Sequence, residues 1–340
     1  MTESDAVPFP ISDHCDGRRF FNPGVDTDRS LADLWRWRRT GRRVPWPETV
    51  PVVPARPPLS VAGPGEVLLT PVGHSTVLIQ VEGCNILTDP IWSDRASPVS
   101  FAGPRRVRAP GIAFEDLPRI DLVLLSHNHY DHLDVATLKR LQSHSAPRIV
   151  TGLGNGRLLA RQGLEQVVEL DWWQCCTPAH GVDVTYLPAQ HWSSRTGWDR
   201  RRALWGGHAV QAGGTCIYFA GDSGYGPHFS EIGRVFRPDV ALLPIGAYEP
   251  RWFMKDQHMD PSDAVAAHRD LGAGLSLAIH WGTFQLTDEG IDAPVDGLAL
   301  ARAEAGLDDQ AFQAPEVGTT LVWRAQPLPS ETAEPRSAAP

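Results

Sequence analysis

The sequence has little positive charge, and nearly all of it comes from arginine. The formal net charge is −9 at pH 7, and Lys139 and Lys255 are the only lysines among 340 residues. A protein that binds nucleic acids broadly needs a basic face to neutralise phosphates. The charge balance therefore argues against a nucleic-acid partner.

The sequence also lacks a disulfide pattern and a long apolar run. Its five cysteines form no Cys-x-x-Cys pair, and an odd count without a framework is typical of reduced thiols in the cytoplasm. The acidic first residues lack the basic start and apolar core of a signal peptide. No apolar segment approaches the ~18–20 residues that cross a bilayer. We therefore expect a cytoplasmic protein with peripheral membrane contact at most, and a homodimer is left open.

A dense cluster of metal-binding side chains directly follows a predicted buried strand. The apolar run 120–125 leads into His127-x-His129-x-Asp131-His132. Alternate side chains of an extended segment share a face, so His127 and His129 can bind one metal ion, and Asp131 and His132 a second after the chain turns. Histidine clusters also occur on exposed loops, but this density after a buried strand indicates a metal site. Imidazole and carboxylate ligands without thiolate suit zinc first, then iron, manganese or nickel.

Three more ligand-type residues lie in similar positions further along the chain. His191, Asp222 and His280 each follow an apolar, strand-like run, and each opens a loop that contains glycine, serine or tryptophan. Together with the early cluster, this order resembles the metallo-β-lactamase superfamily, whose signature is His-x-His-x-Asp-His.

Additional motifs narrow the resemblance to one branch of that superfamily. They extend over roughly residues 20–323 and look like the branch of phospholipases D that hydrolyse N-acylphosphatidylethanolamine. The motifs lie at residues 73–76, 189–195, 204–207, 221–225, 244–254 and 280–284. The ligand set alone specifies only the superfamily, because function lies in the site and not in the fold.

The resemblance implies a centre with two zinc ions, or other divalent metals, as cofactors. In it, His127, His129 and His191 hold one ion, Asp131, His132 and His280 hold the other, and Asp222 bridges both. Two carboxylates reduce the repulsion between cations that lie about 3.5–4 Å apart. A water molecule that bridges such ions loses a proton easily, and the resulting hydroxide is the expected nucleophile.

The same resemblance implies a phosphodiesterase of phospholipase D type. Its substrate would be N-acylphosphatidylethanolamine or a related amphiphile, and its products an N-acylethanolamine and phosphatidic acid. Asp131 or His258 would protonate the leaving alkoxide. Gln257 precedes His258, and Trp192 and Trp281 directly follow metal ligands, so these three are the candidates for substrate contact.

Two further residues are candidates for support of the ligands. His74 is expected to buttress a ligand or the edge of a sheet. Asp89 follows a predicted strand and precedes Pro90, so it either orients a ligand or forms a turn.

The order of elements predicts an α/β fold, a four-layer α/β/β/α sandwich. Two strand-rich halves are each followed by helices, so two sheets would pack face to face with the ligands at one common edge. The predicted organisation is a disordered N-terminus (1–18), an N-terminal helix and extended wrap packed on the body (19–65), a metallo-β-lactamase-like hydrolase domain (66–326) and a disordered tail (327–340). The helix, which Ser30 caps, is amphipathic and basic, and it packs on the body or lies on a membrane surface.

Other functions stay open on the sequence alone. A soluble hydrolase such as a lactonase would use the same metal site on another substrate. Diiron oxidoreductases of this fold favour a carboxylate where His129 stands, which argues against them. A non-catalytic binding module would not need the complete ligand set.

Overall fold

Two seven-stranded β-sheets form the centre of the computed structural model, which describes residues 9–57, 63 and 65–324. In chain order the strands are β1 (Glu66–Gly73), β2 (Thr76–Val81), β3 (Cys84–Thr88), β4 (Leu122–Leu125), β5 (Arg148–Gly152), β6 (Val167–Leu170), β7 (Cys175–Ala179), β8 (Val182–Leu187), β9 (Gly207–Ala212), β10 (Thr215–Phe219), β11 (Val240–Pro244), β12 (Leu275–Ile279), β13 (Phe312–Gln313) and β14 (Leu321–Arg324). The first sheet has the order β14-β1-β2-β3-β4-β5-β6, and the second has the order β13-β12-β11-β10-β9-β8-β7.

Seven α-helices lie around the two sheets in the described residues. They are α1 (Leu31–Thr40), α2 (Val135–His144), α3 (Gly156–Arg161), α4 (His228–Phe236), α5 (Arg251–Met254), α6 (Pro261–Leu271) and α7 (Ala293–Ala305). Asp260 caps the start of α6, because its side chain accepts a hydrogen bond from the Asp263 amide. Within the described residues, no helix is long and apolar enough to cross a bilayer.

Three apolar clusters separate the layers. Leu69 of the first sheet and Val184 of the second belong to the cluster between the sheets. Leu138 of α2 packs in the cluster on the outer face of the first sheet. Phe229 of α4 and Leu298 of α7 pack in the cluster on the outer face of the second sheet. The α/β/β/α sandwich predicted from the sequence is therefore confirmed.

The parallel parts of the sheets place the ligand-bearing loops. Strands β3 to β5 run parallel, and so do β10 to β12, so the carboxyl ends within each set meet at one edge. His127, Asp222 and His280 follow β4, β10 and β12 directly or within three residues. Gly206 joins the two edges through its amide, which donates to the Ser126 carbonyl at 3.0 Å.

The N-terminal residues differ from the expectation of disorder through residue 18. Residues 1–8 lie outside the described part, but residues 9–18 pack against the body. The rings of Phe9 and Phe20 lie 4.8 Å apart, and His14 Nε2 lies 2.8 Å from Asp171 Oδ1. Such contacts between distant residues carry no local sequence signal. The predicted tail, 327–340, also lies outside the described residues.

The helix predicted after Ser30 is present as α1, with a capping box between Ser30 and Asp33. Elements that the sequence did not indicate are β6, β7, β13, α4, α5 and α7. The sequence predicts a strand over residues 203–211, but β9 begins only at Gly207. Residues 203–206 contact the first sheet instead, and Trp205 is fully buried. The structure describes all five cysteines and shows no disulfide among them.

Gly221, just before Asp222, lies where the edges of the two sheets pack closely, so substitution there measures how tight that packing is. Its φ is +62°, and a Cβ there would lie 2.4 Å from the Ser126 Cβ. We expect Gly221→Ala to lower the free energy of unfolding by roughly 2–4 kcal/mol, from the left-handed backbone plus the clash. Gly272→Ala is the matched control, because Gly272 has a φ of +64° and open space around it. Urea denaturation measures both, and equal losses would contradict close packing at Gly221.

Candidate metal centre

The structure brings all seven predicted ligands together around one carboxylate. Asp222 Oδ2 lies 3.1 Å from His132 Nε2, 3.2 Å from His280 Nε2, 3.8 Å from His191 Nε2 and 3.9 Å from His127 Nε2. These residues come from loops of both sheets, and all of them are buried except His129, which is half-buried. Asp222 therefore lies at the centre of the predicted ligand set.

Three imidazoles converge on one side of Asp222. His129 Nδ1 lies 2.8 Å from His127 Nε2 and 3.3 Å from His191 Nε2. On the other side, Asp131 Oδ2 lies 3.4 Å from both His132 Nε2 and His280 Nε2. The two sides match the two sets that the resemblance implies, although the individual ligand roles stay a prediction.

The donor atoms suit bound cations. Among the described residues, the buried Oδ1 of Asp222 has no hydrogen-bond partner, and the buried Nε2 atoms of His132 and His280 lie near Asp222 Oδ2 without the geometry of a hydrogen bond. Buried polar atoms are normally paired, so an unpaired group of this kind needs an explanation. Imidazole nitrogens and carboxylate oxygens without thiolate are the donor set of zinc and related divalent metals. The residues present therefore fit a metal centre.

The electrostatics differ between the two sides. Burial lowers the pKa of His129 to about 3 and that of His191 to about 4, so both rings are neutral and carry a free lone pair. Burial also acts on His280, but the Asp222 and Asp131 carboxylates outweigh it and raise the pKa of His280 to about 9. The two carboxylates thus favour positive charge beside them, and a bound metal cation would supply that charge in place of a proton on His280.

Hydrogen bonds fix the outer nitrogen of three ligands. His127 Nδ1 lies 2.9 Å from Ser126 Oγ, His132 Nδ1 lies 2.6 Å from Asp89 Oδ2, and His191 Nδ1 lies 2.9 Å from the Gln257 carbonyl. When each Nδ1 carries the proton, Nε2 presents its lone pair to the site. Asp89 also accepts hydrogen bonds from the amide and hydroxyl of Ser126. The sequence left open whether Asp89 orients a ligand or forms a turn, and its contact with His132 supports the first interpretation.

His74 buttresses a ligand, as the sequence suggested. Its Nε2 lies 3.0 Å from Asp131 Oδ2. Its backbone joins the sheets, because its amide donates to Thr283 Oγ1 at 2.8 Å and its carbonyl accepts from the His280 amide at 3.0 Å.

His258 points at the metal centre without belonging to the predicted ligand set. Its Nδ1 lies 3.9 Å from Asp222 Oδ2 and has no hydrogen-bond partner within the described part of the chain. Its ring packs 5.0 Å from the His191 ring and 5.3 Å from the His280 ring. A role of His258 in catalysis stays a prediction.

The three candidates for substrate contact lie close to the predicted ligands, but each also contacts another side chain of the protein. Trp192 Nε1 donates to Gln257 Oε1 at 2.6 Å, and the Trp192 ring packs 4.3 Å from the His129 ring. Arg200 covers the Trp192 ring at 3.9 Å. Trp281 is half-buried, with the Arg108 guanidinium 5.1 Å above its ring.

Sequence reasoning did not identify Arg195 as part of the site. One guanidinium nitrogen, Nη1, donates to the Asn128 carbonyl at 2.9 Å and to the Leu133 carbonyl at 2.8 Å. It thus clamps both ends of the loop that carries three ligands. Arg195 stood in a recognised motif, but nothing local to it indicates contacts more than sixty residues away.

Comparisons with known proteins agree with this geometry. Residues 84–281 match the family described as "Beta-lactamase superfamily domain". The chain is 41% identical, over 75% of its length and 74% of the relative, to N-acyl-phosphatidylethanolamine-hydrolyzing phospholipase D 1 of Caenorhabditis elegans. It is 37% identical, over 91% of its length and 79% of the relative, to an uncharacterized protein of Mycobacterium tuberculosis. A metallo hydrolase of Ignicoccus hospitalis shares the fold, with a TM-score of 0.59 and 24% identity over 77% of this chain and all of that one.

The central position of Asp222 predicts how metal content responds to its loss. Asp222→Asn removes the charge that lies among the imidazoles, so we expect at least half of the bound divalent metal to be lost after dialysis. Inductively coupled plasma mass spectrometry measures the metal content per chain. Asp171→Asn is the control, because Asp171 also pairs with a histidine, His14, but belongs to no ligand group. Unchanged metal content in Asp222→Asn would contradict a bridging role.

Proposed function

The chain belongs to the beta-lactamase superfamily and is a metal-dependent hydrolase, and from this premise we propose that it is a phosphodiesterase of phospholipase D type. The proposed substrate is N-acylphosphatidylethanolamine or a related amphiphile, and the products are an N-acylethanolamine and phosphatidic acid. The observation that carries the proposal is the 41% identity to the nematode enzyme, in a chain whose seven candidate ligands lie together.

We propose two zinc ions as the cofactors of this reaction. When bound, they would supply Lewis acidity towards a phosphoryl oxygen and lower the pKa of nearby water. Asp89, Ser126 and the Gln257 carbonyl would hold the donors in place for the ions, since they fix the outer nitrogens of three imidazoles. Such preorganisation keeps the site from rearranging during the reaction.

The leaving alkoxide needs a proton, and His258 is the better placed of the two candidates. The Asp131 carboxylate is committed, because its Oδ2 lies within 3.4 Å of His74, His132 and His280. Burial lowers the pKa of His258 well below its usual value, so its ring is neutral and keeps one N–H. We propose that this N–H donates a hydrogen bond to the leaving oxygen as the bond to phosphorus breaks, while the proton that this oxygen gains is the one that the attacking water gives up.

Trp192, Gln257 and Trp281 are the proposed substrate contacts. Trp192 packs against His129, so its ring can form an apolar wall beside the ligands. Its hydrogen bond to Gln257 links that wall to the residue before His258. A substrate with long apolar chains would gain from such a wall more than a small soluble ester would.

Product analysis tests the proposed reaction. Zinc-loaded protein in mixed micelles should release phosphatidic acid and N-acylethanolamine in equal amounts. Asp131→Asn should abolish turnover, and His258→Ala should lower kcat by roughly 10²–10⁴-fold while metal content stays unchanged. Asp171→Asn, which alters a carboxylate outside the ligand groups, should leave turnover intact.

A parallel panel of lactones separates the alternative substrate class. Hydrolysis of lactones with no phospholipid cleavage would replace the phosphodiesterase by a lactonase with the same metal centre. Full zinc content with no turnover of either class would contradict both.

We also propose that α1 is the peripheral contact of the protein with a lipid surface. Leu31 is 84% exposed and Trp35 is 62% exposed, and basic Arg38 and Arg39 follow them in the last turn. The helix lies beside the segment that leads into Gln257 and His258, because the rings of Trp37 and Phe253 lie 4.8 Å apart.

Vesicle sedimentation tests the α1 contact. The protein should bind vesicles of phosphatidylglycerol and phosphatidylcholine more tightly than phosphatidylcholine alone, because arginines attract anionic lipids. Leu31→Ala combined with Trp35→Ala should weaken this binding at least tenfold. Leu300→Ala is the control, since Leu300 is 66% exposed on α7. Equal binding by all variants would contradict a role of α1.

A further inference from the structure

The N-terminal residues, which precede the family match at 84–281, run along the ligand-bearing edge. Arg29 Nε donates to the Phe253 carbonyl at 2.8 Å, and Trp46 Nε1 donates to the Glu289 carbonyl at 2.9 Å. The amide of Val50 donates to the Val107 carbonyl at 2.7 Å. We call residues 20–50 the N-terminal belt. It passes the loops that carry His191, His258 and His280 in turn.

Asn22 of this belt contacts a predicted ligand directly. Its Nδ2 donates to the His191 carbonyl at 2.8 Å, and its Oδ1 accepts from the His191 amide at 3.2 Å. The side-chain amide thus pairs with both backbone groups of His191, as a neighbouring strand would. Asn22 is itself buried.

The remaining bonds of Asn22 fix its orientation. Oδ1 also accepts from Trp205 Nε1 at 3.1 Å, and Nδ2 also donates to Thr27 Oγ1 at 3.2 Å. A primary amide has two donor hydrogens and two acceptor lone pairs, and Asn22 uses all four. The indole of Trp205 also settles which end of the amide is the oxygen, because an indole N–H can only donate.

Other groups hold only part of His191. The Gln257 carbonyl fixes Nδ1 of its ring. The two His191 backbone groups lie in an irregular stretch after β8, and within the described part of the chain each of them pairs with Asn22. Loss of the amide would leave a buried donor and a buried acceptor unpaired, which costs free energy unless the loop moves.

We propose that Asn22 is a positioning residue for the metal centre, which fixes the backbone of His191 so that its Nε2 meets Nε2 of His127 and Nδ1 of His129. The inference rests on the proposed metal centre but not on the substrate. It makes the N-terminal belt part of the site, although the belt lies outside the family match.

Metal titration of the full-length protein tests the inference. Apoprotein is titrated with Zn²⁺ against a chromophoric chelator, and Co²⁺ absorption reports the ligand geometry. We expect Asn22→Ala to weaken one of the bound equivalents by 10–100-fold, which is the range for partners that orient ligands. Asn22→Asp keeps the side-chain volume and the oxygen that accepts both hydrogen bonds. It places a second carboxylate oxygen against the His191 carbonyl, so it should weaken binding of the same metal equivalent.

Asn155→Ala is the matched control for loss of a buried asparagine. Asn155 is fully buried, and its Nδ2 bonds Thr151 Oγ1 and the Gly152 carbonyl instead of a ligand. It should lower the thermal stability yet keep the metal affinity and the Co²⁺ spectrum. Wild-type affinity in both Asn22 variants, or an equal loss in Asn155→Ala, would overturn the inference. Failure of the unaltered protein to bind two equivalents would instead overturn the metal centre itself.

Discussion

The buried Asp222 carboxylate among four imidazole ligands is the interaction on which the rest of this structure depends. A carboxylate removed from water is costly unless positive charge and hydrogen bonds surround it. Here His191 and His280 come from the sheet that carries Asp222, and His127 and His132 come from the other sheet, so the carboxylate is surrounded only when the two edges meet. The close packing of Gly221 on Ser126 and the hydrogen bond from the Gly206 amide to the Ser126 carbonyl hold the two edges together.

Left-handed backbone at the ligand loops shows how firmly the two edges are joined. His74, Asp89 and His280 have φ values of +55°, +30° and +62°, which non-glycine residues rarely adopt. Such conformations persist where the surroundings over-determine them. The hydrogen bond from the His280 amide to the His74 carbonyl links two of these residues across the sheets. The strain therefore lies where the ligands need fixed directions.

Much of the fold and of the ligand set could be predicted because the signals are local. His127 and Asp131 follow an apolar strand, and strand period and loop position are written in neighbouring residues. The sequence could not indicate that residues 9–18 are ordered, because their order comes from Asp171 and other residues far along the chain. The roles of Arg195 and Asn22 could not be predicted for the same reason, because both side chains bind backbone groups far away in the sequence. Residues 203–206 were misassigned because burial of Trp205 overrides their strand pattern.

The span between Asn22 and His191 has a consequence for how the chain reaches its final state. These residues are 169 positions apart, and contacts that close so long a loop form late, after local contacts and strand pairs. During synthesis the belt leaves the ribosome before the second sheet, yet its place exists only once the second sheet has assembled. The contact between Asn22 and His191 must therefore wait for residues that are made long after the belt.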